Sequence, residues 1–116
     1  MRTKILLTIV LQLSLFSILN AQTGVTVSGN VKDKKTKAIL PFVNVVLKTD
    51  KDSTFVSGTV TNEEGRFSLT KIKSGNYYLE VSYIGYATRK QSLFVGNLTE
   101  YLDIKTIELE EKATSL

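Results

Sequence analysis

The chain has 116 residues, 15 lysines and arginines against 11 aspartates and glutamates, and neither histidine nor cysteine. Those missing side chains exclude a Ser-His-Asp triad, a Cys-His nucleophile and an ordinary zinc site, and they leave no disulfide to brace a small exported domain. The net charge of +4 is spread among alternating Lys, Asp and Glu without a basic face, so neither nucleic acid nor an anionic membrane is indicated as a partner.

Arg2 and Lys4 precede an apolar stretch, Ile5 to Ile18, broken only by Thr8, Gln12, Ser14 and Ser17. Positive charge, then grease, then small residues is the order of an export signal, and the stretch is short for a permanent bilayer-spanning helix. We expect residues 1–21 to be a signal peptide cleaved after Ala21, although Leu19 is larger than the residue usual two places earlier. No cysteine follows to carry a lipid anchor. The mature chain, Gln22 to Leu116, then has 95 residues and, without Arg2 and Lys4, a net charge of +2. A domain of that size buries roughly 60 to 68% of its unfolded surface, enough for one modest core.

Beyond the signal, apolar residues recur at every second position in short runs separated by Gly, Asn, Asp, Ser and Lys, the pattern of half-buried strands. Val25, Val27 and Val31 define a first strand, with Gly29 at a close-packed or bulged position, and Lys32 to Ala38 reads as a charged loop. After Pro41, which suits a strand start or an edge, Val43, Val45 and Leu47 share one face of a second strand. Thr49 to Ser53 turns the chain. Val56, Gly58 and Val60 make a third strand and Phe67 and Leu69 a fourth, and the spacing predicts a hairpin between them. Its loop, Thr61 to Gly65, is a type I turn closed by Gly65 in the left-handed region, with Asn62 bonding to nearby backbone.

Lys73 to Asn76, with Gly75, supplies the next turn. In the fifth strand Tyr77, Leu79, Val81 and Tyr83 face one way, and Tyr78, Glu80 and Ser82 the other. Ile84-Gly85-Tyr86 interrupts that rhythm as a bulge or bend, before a weaker strand from Arg89 to Val95 with Leu93 and Val95 inward. A last strand, Leu102 to Leu109, must shift its inward set from Leu102 and Ile104 to Ile107 and Leu109, which requires a bulge. The polar tail, Glu110 to Leu116, is expected to be loose.

Seven short strands and no helical period predict an all-β, seven-stranded antiparallel β-sandwich with transthyretin-like or Ig-like Greek-key connections. The competing fold is a transmembrane barrel. Its strands need roughly nine to eleven residues and a continuous apolar belt, whereas most of these are shorter and carry Lys, Glu, Ser and Asn outward.

The segments "VSGNVKD", "LPFVNVVL", "GTVTNEEGRFSL" and "SGNYYLEVSYIGYATRKQSL", in this order and spacing, resemble the carboxypeptidase-D regulatory-like domain over roughly Val25 to Leu109. The family's usual Thr-Asp-x-x-Gly-x-Phe turn appears as Thr61-Asn62-Glu63-Glu64-Gly65-Arg66-Phe67, with Asn in place of Asp. Gly75, Tyr77 and Leu79 match its Gly-x-Tyr-x-Leu element, and Ile84, Gly85 and Tyr86 its Ile-Gly-Tyr. The resemblance implies a transthyretin-like sandwich over residues 22–109, often an N-terminal extension of Bacteroidetes TonB-dependent outer-membrane receptors, SusC-like glycan importers among them. It also implies a place at the periplasmic face of the outer membrane and a protein partner there, the receptor's plug and barrel or the TonB system. Residues 110–116 then form a tail or the start of a linker to an absent plug domain.

The family's name suggests a peptidase, but metallocarboxypeptidases hold zinc through histidines that this chain lacks. Catalytic, cofactor and metal residues are therefore expected to be none, and nothing in the pattern buries a lysine for Ser-Lys chemistry. Glu63 and Glu64 read as the tip of a turn, since adjacent residues on a tight turn diverge; calcium at these, or at Asp50 and Asp52, is a remote reading. Asn62, Gly65, Gly75 and Gly85 are expected to be turn residues. Phe42, Tyr78, Tyr86 and Phe94 are candidates for a stacking platform for a protein partner or a glycan, against the plainer reading that they cover edges and loops. Asp52-Ser53-Thr54 resembles a short O-glycosylation acceptor. The two functional expectations are a non-enzymatic periplasmic interaction module, without membrane insertion of its own, and a stand-alone exported binding sandwich.

Overall fold

The computed structural model describes residues 24–97 and 99–113. The expected signal peptide and its cleavage site lie outside those residues. The strands are β1 (Val25–Asp33), β2 (Asn44–Thr49), β3 (Phe55–Val60), β4 (Arg66–Ile72), β5 (Gly75–Ser82), β6 (Arg89–Val95) and β7 (Tyr101–Leu109). They form a three-stranded sheet in the order β4-β1-β7 and a four-stranded sheet in the order β3-β2-β5-β6. No helix among the described residues is long and apolar enough to cross a membrane.

Alternation builds the core directly. Val25, Val27 and Val31 from β1 are buried with Phe67 and Leu69 from β4 and Ile107 and Leu109 from β7, facing Val45 and Leu47 from β2 and Tyr77, Leu79 and Val81 from β5. The predicted crowding at Gly29 is real: a Cβ there would lie 2.9 Å from both Ile104 Cγ1 and the Lys105 carbonyl oxygen. The bulge expected in the last strand is found opposite that glycine. Pairing with β1 jumps from Ser28↔Asp103 to Asn30↔Thr106, and Lys105 takes φ 65°. The extra residue is what lets Leu102 and Ile104, then Ile107 and Leu109, all turn inward.

The expected wholly antiparallel arrangement needs correction, because β1 and β7 pair in parallel. Each connection reverses the chain, so odd-numbered strands all run alike and the first and last strands can meet only in parallel. The hairpin expected between β3 and β4 is also not formed. β3 pairs with β2 and β4 with β1, so Thr61 to Gly65 is a corner that carries the chain from one sheet to the other. Buried Thr61 holds that corner: its hydroxyl donates to the Leu40 carbonyl (2.8 Å) and accepts from the Val43 N–H (2.9 Å). The tail differs from its expected looseness as well. Ala87 N–H donates to the Glu110 carbonyl (2.8 Å) and Lys112 N–H to the Gly85 carbonyl (2.9 Å), which fastens Glu110–Lys112 to the β5–β6 loop. Finally, Lys32 and Asp33, assigned to the first loop by charge, continue β1.

Candidate functional site

Three connections and the end of β7 meet at one end of the sandwich, where Asp33 closes β1. Its carboxylate is buried and fully bonded. Oδ1 accepts the backbone N–H groups of Lys35 (2.8 Å) and Thr36 (2.9 Å), and Oδ2 accepts the Tyr86 hydroxyl (2.7 Å). The Thr36 N–H and then the Tyr86 hydroxyl favour the charged form and pull the Asp33 pKa down to about 2; the same bond pushes the Tyr86 phenol up to about 12. The Tyr86 ring stacks on Tyr83 with centroids 5.7 Å apart. Around this knot, Lys34 pairs with Glu110 and Lys37 with Glu108 (2.9 Å). The groove beside it, about 630 Å³, is lined by Asp33, Lys34 and Glu110, whose charges are bonded or paired, and by Lys35, Glu111 and Lys112. Its chemistry is that of a tether between β1, the β5–β6 loop and the tail. Sequence reasoning missed Asp33, although an Asp followed by free N–H groups two and three residues on is the signal of an Asx turn.

The structure separates the four aromatic candidates. Tyr78 points outward from the four-stranded sheet as expected, yet it is only 9% exposed, so it offers no open face. It lies between Lys48 of β2 and Ser92 of β6, with Lys90 Nζ 5.4 Å from its ring centroid. Tyr86 is occupied by Asp33 and Tyr83. Phe42 (61% exposed) and Phe94 (65%) remain open. Phe42 precedes β2 at the Asp33 end, held at φ 60°, whereas Phe94 pairs with Asn76 near the opposite end, so they cannot share one ligand. Asp50, Asn76, Tyr77 and Phe94 border a shallow groove of about 270 Å³.

The acidic positions are used locally. Asn62 Oδ1 accepts from the N–H groups of Glu64 and Arg66, both at 2.9 Å, and Gly65 takes φ 75°, leaving Glu63 and Glu64 exposed at the tip of the corner. Gly85 takes φ 87° in the β5–β6 turn, while Gly75 is the first residue of β5 and follows the turn. Asp52 accepts the Thr49 hydroxyl and the Thr54 N–H across the β2–β3 turn, and the Thr49 bond holds its carboxyl below the usual range. Among the described residues, no three His, Cys, Asp or Glu side chains gather where an ion could be held.

The sequence matches the CarboxypepD_reg-like domain family over residues 27–116. The chain belongs to this family. No curated protein matches it. Among solved structures, it is similar to the group B streptococcus pilus 2b backbone protein (19% identity, TM-score 0.59, covering 76% of this chain and 41% of that one). It is also similar to BcpA, the major pilin subunit of Bacillus cereus (15% identity, TM-score 0.61, 78% and 31%), and to the 5-hydroxyisourate hydrolase of Klebsiella pneumoniae (17%, 0.54, 74% and 86%). At these identities the likeness is one of fold. The chain spans less than half the length of the two pilus proteins. As a CarboxypepD_reg-like domain it is a non-catalytic β-sandwich module, and its motif residues Gly65, Phe67, Tyr77 and Leu79 serve the frame.

Proposed function

We propose that this domain is a periplasmic interaction module, the N-terminal extension of a TonB-dependent outer-membrane receptor, that docks a protein partner through a sheet edge or its loop end. Family membership over residues 27–116 carries the reading. It is supported by a surface that leaves Phe42, Phe55, Ile84, Phe94 and Tyr101 exposed on a frame whose buried Asp33 and Thr61 are spent on a turn and a corner. Among the described residues, scattered apolar knobs without an enclosed reactive cluster suit contact rather than turnover. Photo-crosslinking residues placed at these positions in the native cell test it. Adducts with an outer-membrane or periplasmic protein are expected, and an absence of adducts from every position would overturn it.

The Phe94 groove favours a second reading, a stand-alone exported glycan-binding module, because an open ring beside Asn76 and Asp50 combines a stacking face with hydroxyl partners. A glycan panel on which the wild type and Phe94→Ala bind alike, or not at all, would refute it.

A further inference from the structure

The two sheets have four outer strands, and three carry charged side chains that discourage pairing with another chain. β4 bears Arg66 and Lys71, β6 bears Arg89 and Lys90, and β7 bears Asp103, Lys105 and Glu108. Lys71 and Lys105 also take positive φ, at 57° and 65°, and so bend their strands. β3, Phe55-Val56-Ser57-Gly58-Thr59-Val60, has no charge and no proline. It pairs with β2 on one side only, among the described residues. Phe55 is 64% exposed and Val60 50%, and the Phe55 ring lies over Gly58, covering the weakest point of the strand. A register shift at Phe55–Ser57 leaves Val56 without a partner on β2.

The two ends of this strand decide what it can pair with. The β2–β3 turn places Asp50 and Asp52 around Lys51, and the β3–β4 corner places Glu63 and Glu64 beside Arg66, so each end carries a net negative charge on a chain that is positive overall. A second copy is disfavoured in either direction. Antiparallel pairing sets Asp50 and Asp52 of one copy toward Glu63 and Glu64 of the other, and parallel pairing sets like ends together.

From this the geometry points to β3 as a strand-addition site for an extended, uncharged segment of a partner protein, rich in β-forming residues and flanked by basic residues. The inference rests on the interaction-module reading and names its surface. Main-chain hydrogen bonds along the free edge supply affinity, Phe55 and Val60 supply side-chain contact, and the acidic ends set register.

Amide hydrogen exchange and NMR shifts on the chain test it, with a synthetic ten-residue peptide of alternating threonine and valine carrying a lysine at each end. Shifts and added protection are expected at residues 55–60. The same peptide with glutamate ends should bind about five-fold or more weakly at low salt, and Val56→Lys, which removes no ladder partner, should weaken binding about ten-fold. Unchanged β3 amides, equal binding of the two peptides, or Val56→Lys binding as well as wild type would overturn the inference. So would outward β3 amides, those not donating to β2, that are already slow in the chain alone or protected only as protein concentration rises, since the edge would then be covered by the chain itself or by a second copy. Cellular crosslinks from Phe42 or Phe94 with none from Val56 would sink the β3 assignment while leaving the module reading in place.

Discussion

Replacing Gly65 with alanine separates two costs that the corner imposes. The first is conformational: at φ 75° an L-residue costs roughly 1 to 2 kcal/mol relative to glycine. The second is steric. A Cβ at Gly65 would sit 3.0 Å from the Val31 carbonyl oxygen and 3.4 Å from Ile39 Cβ and Leu40 N. That carbonyl cannot retreat freely, because it accepts the Leu40 N–H at 3.0 Å while Val31 N–H donates to the Gly65 carbonyl at 2.8 Å. Crowding of this kind adds about 1 to 3 kcal/mol, and the stiffer unfolded chain returns about 0.4 to 1 kcal/mol. The expected loss is therefore about 2 to 4 kcal/mol, or a Tm lower by roughly 10 to 25 °C in a domain of this size. Gly85→Ala is the internal control. Its φ is 87°, yet nothing lies within 4 Å of the added Cβ, so strain alone remains, about 1 kcal/mol and partly offset. Thermal and urea melts followed by far-UV circular dichroism compare the two. Equal losses would refute the steric half of the reasoning, and an unchanged Gly65→Ala melt would refute the corner itself; Gly65→Val should be worse than either alanine variant.

Thr61→Val keeps the shape but leaves the Leu40 carbonyl and the Val43 N–H without their buried partner; a loss of about 2 to 4 kcal/mol is expected, read as a lower urea midpoint and faster exchange of the Val43 amide. Leu79→Ala, at a fully buried position between β2 and β6, should cost about 2 to 5 kcal/mol by leaving a cavity. Asp33 gives an acid limb: its folded pKa of about 2 lies below the unfolded value of about 3.9, so its stabilisation is present above that value and is lost as pH falls toward 2. Tm measured from pH 7 down to pH 2 should therefore fall less steeply in Asp33→Asn. Tyr86 gives the opposite limb, with a folded pKa of about 12 above an unfolded value of about 10, so its contribution holds below pH 10 and is lost as pH rises toward 12. Tyr86→Phe should flatten that alkaline fall while keeping part of the acid limb, because the Thr36 N–H, the larger influence on Asp33, remains.

The inner face was legible because burial in a sheet has a period of two, and Val25, Val27, Leu47, Leu79 and Val81 announce it without help from context. The β7 bulge was legible for the same reason, since Leu102, Ile104, Ile107 and Leu109 cannot face one way without an extra residue. What periodicity cannot carry is the partner of a strand. The β3–β4 corner has the residues of a hairpin turn, Asn62 and Gly65 in the right places, yet the chain changes sheets there because Thr61 is tied back to Leu40 and Val43, contacts reaching about twenty residues along the sequence. Parity could have supplied the parallel β1–β7 pair once the sheet order was known, but not the order itself. The same limit governs the candidate surface. Alternation alone sets Tyr78 and Phe94 outward as equals; the central strand β5 leaves the first covered by Lys48, Ser92 and Lys90, and the outer strand β6 leaves the second open. Whether an outward aromatic can meet a partner depends on its place across the sheet, and that is why β3, whose alternation is unremarkable, is recognised as an uncharged outer strand only once its neighbours are known.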